Sequence, residues 1–162
     1  MSHLCLYRLT ELGESAMSIV AGVLIYKDQA FVPTTSQVEL GPYFDTDPIE
    51  VVLLDAQNLA DALGRAIVRG NPKIPPVNYA EYKRNDPTLK ATSAKSWKAL
   101  ARVGASYGVI VDENEIALYI SKLDKQGRFV DDNEKTQRFS RDTDLVVIAN
   151  AILTDWRSRS QA

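Results

Sequence analysis

The side chains best suited to acid–base or nucleophilic chemistry are scarce in this chain. Histidine, the usual proton carrier near neutral pH, occurs once, as His3, and cysteine once, as Cys5. A histidine so near a terminus reads as a solvated tail residue. A cysteine acts as a nucleophile when a positive neighbourhood or a histidine lowers its pKa. With just His3 and Arg8 nearby in sequence, Cys5 reads as an inert, buried thiol. A single cysteine permits no internal disulfide, and the Cys/His count excludes a zinc site. Two acidic runs, Asp112-Glu113-Asn114-Glu115 and Asp131-Asp132-Asn133-Glu134, lack the spaced ligands, central glycine and closing glutamate of a calcium loop. They read as solvated turn carboxylates. The glycines form neither a G-x-G-x-x-G nor a Walker pattern, so a nucleotide cradle has no support. These residues predict no cofactor, no metal and no catalytic activity, although a site of carboxylates from distant positions would leave no motif.

Charge is distributed more tellingly than its sum of −2. Residues 1–61 carry nine acids and two bases, residues 62–102 two acids and nine bases, and residues 103–162 ten acids and eight bases. Such asymmetry speaks of partners or internal complementarity. The length of 162 residues fits one domain, and an apolar fraction of 45% with 25% charged residues is ordinary for a globular protein. The longest apolar run, Ile19–Tyr26, is far short of the roughly 20 residues that span a bilayer. No signal-peptide pattern opens the chain. The expected setting is the cytoplasm, without a membrane, and the expected state a monomer.

The elements predicted to position these residues are α+β: an antiparallel sheet with about three helices packed on it. Ser18–Tyr26 reads as a buried strand, followed by a turn and a second strand from Ala30 to Val32 before Pro33. Gln37–Phe44 reads as an extended piece interrupted at Gly41-Pro42, and Ile49–Leu54 as a strand or a lead into the next helix. Ala56, Leu59, Ala60, Leu63 and Ile67 make a helical stripe over Ala56–Arg69, with Asp55 as cap and Gly70 as stop. Residues 71–91, with Pro72, Pro75, Pro76 and Pro87, read as an irregular connection anchored by Tyr79 and Tyr82. A helix over Ala94–Val103 is expected, capped by Ser93 and burying Trp97, Leu100 and Ala101. Tyr107–Val111 and the alternating Ile116, Leu118 and Ile120 predict a hairpin. Phe129–Phe139 is expected to return after a turn at Gly127. A last helix, about Thr143–Arg157, has Asp142 as cap and Leu145, Ile148, Ala149, Ile152 and Trp156 as core stripe. Leu54–Ile67 aligns without gaps to Phe139–Ile152, which suggests two ββα-like halves sharing one sheet. Residues 1–16 read as a flexible extension.

Two binding modes fit this layout. In the first, acidic loops steer a basic partner onto the surface. The candidates are Asp45, Asp47 and Glu50 in one loop, with Tyr43 and Phe44 as aromatic anchors, and Asp112, Glu113, Glu115, Asp131, Asp132 and Glu134 around the hairpins. In the second, the basic segment 65–102, interleaved with Tyr79, Tyr82 and Trp97, binds nucleic acid. A pI of about 5.4 argues against a dedicated nucleic-acid binder, and Trp97 lies on an apolar stripe.

The pattern over residues 92–156 resembles that of immunity proteins of bacterial contact-dependent growth inhibition systems. The resemblance is carried by Ser96-Trp97 with Leu100, the hairpin Tyr107–Ile120, the turn at Gly127, Phe139, and the closing Leu145…Ala151-Ile152 helix. A looser echo lies in 49–70. The resemblance implies a small α+β protein that binds a cognate toxin domain, often a nuclease, and blocks it without catalysing a reaction. The motif consists of apolar positions, so no interface residue transfers from it. The proline-bearing middle departs from a minimal domain and reads as a binding element particular to this chain.

Overall fold

The computed structural model describes residues 18–161. The expected extension at 1–16, with His3 and Cys5, lies outside them. Eight strands form one sheet in the order β3-β2-β1-β5-β6-β7, with β4 beside β2 and β8 beside β6. The strands are β1 Ile19–Tyr26, β2 Gln29–Val38, β3 Tyr43–Leu53, β4 Lys73–Ile74, β5 Ala105–Val111, β6 Glu115–Leu123, β7 Phe129–Asp131 and β8 Gln137–Ser140. The short β4 alone pairs in parallel; the other pairings are antiparallel. Two long helices, α1 Ala56–Arg69 and α5 Leu145–Ser160, and three short ones, α2 Tyr79–Arg84, α3 Pro87–Thr92 and α4 Trp97–Ala101, complete the α+β architecture.

Strand alternation decides what each face buries. Ala21, Val23 and Ile25 of β1, Tyr107 and Val109 of β5, and Leu118 and Ile120 of β6 point to one side. There they meet Leu59 and Leu63 of α1 and Ile148 and Ile152 of α5. These residues are at most 2% exposed, and fully burying one such aliphatic side chain contributes roughly 1.5–3 kcal/mol. Leu24 and Phe31, on the opposite side, pack with Leu100, Ala101 and Phe129, and with the half-buried Ile49, Leu89 and Trp97. The segment between α1 and β5 thus roofs part of the second face.

The chain is built as two similar halves. Each runs through antiparallel strands into a long helix, β1-β2-β3-α1 and then β5-β6-β8-α5, and β1 pairs with β5 at the join. Gly22 stands opposite Gly108 in that pairing, with equal lengths of ladder on either side. Gly22-Val23-Leu24-Ile25 therefore corresponds to Gly108-Val109-Ile110-Val111, and Ala30 and Val32 to Ile116 and Leu118. The expected alignment of Leu54–Ile67 with Phe139–Ile152 is displaced: it sets Ala56 against Arg141, whereas α5 begins at Leu145.

Local differences from the sequence expectations have clear causes. β2 continues through Pro33 to Val38, because beyond Phe31 it no longer pairs with β1 and its register on β3 shifts between Pro33 and Thr34. A proline without an N–H is tolerated where a ladder is already interrupted. The extended piece expected over 37–44 is split between two strands: Gln37 and Val38 end β2, Tyr43 and Phe44 open β3, and 39–42 form the tight turn between them, with Gly41 N–H donating to the Val38 carbonyl at 2.8 Å. Ser93 does not start a helix. It ends α3 in the left-handed region, at φ 59°, and Ser96 caps α4 by accepting from Ala99 N–H. Asp144, not Asp142, caps α5 by accepting from Val146 N–H at 2.9 Å; Asp142 accepts from the Ser140 hydroxyl instead. The expected strand Phe129–Phe139 is broken by a 3-10 turn, Asn133–Lys135, into β7 and β8. The connection 71–91 is more ordered than expected, holding α2, α3 and β4. Asp55 and Gly70 bound α1 as expected.

Candidate partner-binding surfaces

The acids and aromatics singled out in the sequence are sorted by the fold into buried and exposed groups. Tyr43, Phe44 and Asp45 head the edge strand β3, but all three are 5–6% exposed. Phe44 meets the Tyr82 ring edge-on at 4.9 Å between centroids. The Tyr82 hydroxyl donates to the Asp45 carbonyl at 3.0 Å, and the Thr88 hydroxyl donates to Asp45 Oδ2 at 2.9 Å. The expectation of surface anchors at Tyr43 and Phe44 and a steering acid at Asp45 is corrected: α2 and α3 fold over Phe44 and Asp45, and Tyr43 packs with Val20 and Ile110. Burial, with the negative charge of nearby Asp86 added, raises the Asp45 carboxyl to about 7, against the opposing bond from Thr88. Asp86 is itself 1% exposed, accepts from Leu89 N–H at 3.0 Å, and accepts from the Trp97 indole N–H at 3.1 Å. These contacts fasten the 78–101 segment to the sheet.

The remaining acids lie in three places. Asp47 is exposed on β3, whereas Glu50 is engaged by Arg65 at 2.6 Å and Arg69 at 3.0 Å from α1. Asp112, Glu113 and Glu115 surround the β5–β6 turn. Asp112 Oδ1 accepts from Asn114 and Glu115 N–H, at 2.7 and 2.8 Å, which holds its carboxyl below the usual range. Glu115 pairs with Arg138. Asp131, Asp132 and Glu134 follow one another at the β7 edge, with Asp132 3.2 Å from the Lys122 ammonium. β3 and β7 are the two ends of the strand order, five strand spacings apart, or roughly 24 Å. The second and third groups are separated along β6, from Glu115 to the partner of Asp131 at Ser121, by roughly 20 Å. The fold keeps the three groups apart and divides the first, with Asp45 buried, Asp47 exposed and Glu50 drawn to α1.

A second polar centre, not foreseen from the sequence, sits under α5. Asp155 is 9% exposed and accepts from the Tyr107 hydroxyl at 2.8 Å and from Arg159 Nε at 2.6 Å, with Lys135 3.4 Å away. Burial alone would raise its carboxyl, but the bonds from Arg159 and Tyr107 outweigh it and leave it low. Burial and the Asp155 charge push the Tyr107 phenol far up. The i, i+4 spacing of Asp155 and Arg159 was a readable signal for an ion pair. Tyr107, 48 residues distant, was not.

Among the described residues, no group of three or more His, Cys, Asp or Glu is placed to hold a metal ion. No described helix is long and apolar enough to cross a membrane. Shallow concavities flank α5. One of 620 Å³ lies against α1 beside Gly64, Arg65 and Leu145, and one of 440 Å³ lies beside Lys135, Thr154 and Ser158.

No protein-family model and no curated protein sequence matches the chain. Solved structures do match in fold. A protein of unknown function from Neisseria meningitidis superposes with a TM-score of 0.62 at 14% identity, covering 91% of this chain and 98% of that one. A chain of the CdiA-CT/CdiI toxin and immunity complex from Yersinia pseudotuberculosis superposes with a TM-score of 0.61, also at 14% identity, covering 88% and 97%.

Proposed function

We propose that this chain is an immunity protein: it binds a cognate toxin domain, probed first as a nuclease, in a direct one-to-one complex in the cytoplasm and catalyses no reaction. The observation that carries this reading is the whole-length fold likeness to a chain of a toxin and immunity complex, 97% of which is covered. That complex contains a toxin and its immunity partner, and the residue chemistry favours the second role for this chain. The two buried carboxylates with displaced pKa values, Asp45 and Asp155, are committed to holding α2, α3 and α5 in place. A buried acid so engaged serves packing before it serves substrate. Exposed acids such as Asp47, Glu113 and Glu134 fit electrostatic steering of a basic toxin surface.

The test is co-expression with the toxin domain encoded beside this gene. The reading expects growth to be restored and both proteins to be recovered together. If expression of this chain alone stops growth, it is the toxin partner and the assignment is reversed.

A further inference from the structure

The segment between the two halves carries an unbalanced load of positive charge on a fixed platform. Lys83, Arg84, Lys90, Lys95, Lys98 and Arg102 are all exposed, and none has an acidic partner among the described residues. Elsewhere seven described bases are drawn into pairs, among them Arg65 and Arg69 with Glu50, Lys122 with Asp132, Arg138 with Glu115 and Arg159 with Asp155, whereas Lys27, Lys125, Arg141 and Arg157 stand scattered. Of the two acids in the segment, Asp86 faces inward at 1% exposure, leaving Glu81 as the one exposed counter-charge. Yet the segment is held at many points: Tyr82 and Thr88 on Asp45, Trp97 on Asp86, Leu100 and Ala101 in the core. It belongs to neither repeated half, so the repeat itself does not require it.

Apolar side chains lie on the same face. Ile49 and Phe31 pack beneath Leu89 and Trp97. Strand alternation then points Val51 and Leu53 the same way as Ile49, where they remain 44% and 66% exposed. Val103, 59% exposed, follows α4 at the same end of the sheet, since Leu53 pairs with Gln29, Gln29 with Tyr26, and Ala105 with the neighbouring Ile25. Apolar residues beside a charged rim are the anatomy of a protein interface. Stacking on single-stranded nucleic acid would need free aromatic faces. Here the Trp97 N–H and the Tyr82 hydroxyl are engaged inward and Tyr82 is packed on Phe44, so that of the segment's three aromatics Tyr79, 42% exposed, is left to offer an open face.

We propose that the face formed by Lys90, Lys95, Lys98 and Arg102, with Val51 and Leu53 beside them, docks an acidic protein surface; resting on the immunity reading, that surface is on the toxin domain. The fold holds the cations at set positions before contact, so the partner's carboxylates meet them without reordering the segment. The chain then presents two charge signs to one partner, which disfavours toxins lacking the matching pattern.

The experiment measures association of full-length chain with the toxin domain, using K95E/K98E and K90E/R102E beside wild type. Among the described residues these side chains have no ion pair to lose, and Lys90 loses a single exposed bond to Asn85, so melting temperatures should stay near wild type. Association should slow about tenfold in each variant at low salt, and the difference should shrink at high salt. Wild-type rates in both variants would overturn this proposal while leaving the immunity reading intact. Failure of wild type itself to bind would overturn both. A salt-sensitive complex of wild type with a single-stranded RNA oligonucleotide, lost in both variants, would replace the acidic protein surface with nucleic acid.

Discussion

Asn71 grips Val20 by both edges of its peptide: Asn71 Oδ1 accepts from Val20 N–H at 2.9 Å, and Asn71 Nδ2 donates to the Val20 carbonyl at 2.8 Å. The same amide nitrogen donates to the Thr35 carbonyl at 2.8 Å. One side chain thus spans β1 and β2 where their own ladder has ended after Leu24–Phe31. Asn71→Ala should cost about 2 kcal/mol in urea unfolding, since it strands partly buried backbone groups. Asn71→Asp should cost at least as much at neutral pH, because a carboxylate oxygen would face two carbonyls it cannot donate to. Equal stability of wild type and Asn71→Asp would show that the bridge contributes nothing.

Asp45 makes stability depend on pH in an uncommon direction. Its folded value of about 7 lies above the ordinary 3.8, so between these values the native state binds the proton more tightly than the unfolded chain. This contribution is full below about pH 4 and is lost as pH rises through 7. Asp45→Asn removes the ionisation while keeping an oxygen for Thr88. Melting temperatures across pH 4–8 should show a decline in wild type that flattens in the variant. The same slope in both would place the titration on another group.

Asp155 acts in the opposite sense: its lowered carboxyl stabilises the fold above the unfolded value, and this is lost as pH falls through the folded value. Tyr107→Phe removes one donor from an acid that keeps Arg159, at a cost of about 1 kcal/mol. Asp155→Ala leaves the buried phenol without its acceptor and the Arg159 guanidinium with the Ser121 carbonyl but no counter-charge beneath it, and should cost about 3 kcal/mol or more. Denaturant titration of both variants checks the order, and a larger loss for Tyr107→Phe would contradict it.

Two glycines should behave in opposite ways. A Cβ at Gly104 would stand 2.8 Å from the Ile25 carbonyl oxygen and 3.0 Å from that of Leu100, and neither backbone atom can yield cheaply. Gly104→Ala should therefore lose about 1–3 kcal/mol. A Cβ at Gly22 meets nothing within 4 Å, so Gly22→Ala should be neutral or slightly stabilising. Thermal unfolding of the pair tests whether α4 must pass this close to β1.

What was legible in the sequence followed periodicity and local chemistry. The apolar stripe of α1 with Asp55 and Gly70 at its ends, the Tyr107–Ile120 hairpin and the core positions of α5 were read from spacing alone. Caps were misplaced where two candidates stood close, Asp142 for Asp144 and Ser93 for Ser96, because side-chain oxygens of equal propensity compete and the backbone decides. Pro33 concealed the length of β2, since the interruption that tolerates it depends on where β1 diverges. Phe44 and Asp45 looked like surface residues because the cover over them, α2 and α3, comes from a proline-rich segment about 40 residues downstream, and Tyr43 because its neighbours Val20 and Ile110 come from other strands. Asn71 and Tyr107 gave no local sign at all, as their partners are 51 and 48 residues away.

The most direct test of the immunity reading is isothermal titration of this chain with the purified toxin domain encoded beside it, followed by assay of the mixture for toxin activity. The account predicts a saturable one-to-one complex and loss of that activity at equimolar ratio. No heat of binding, with the toxin fully active in excess of this chain, would contradict it.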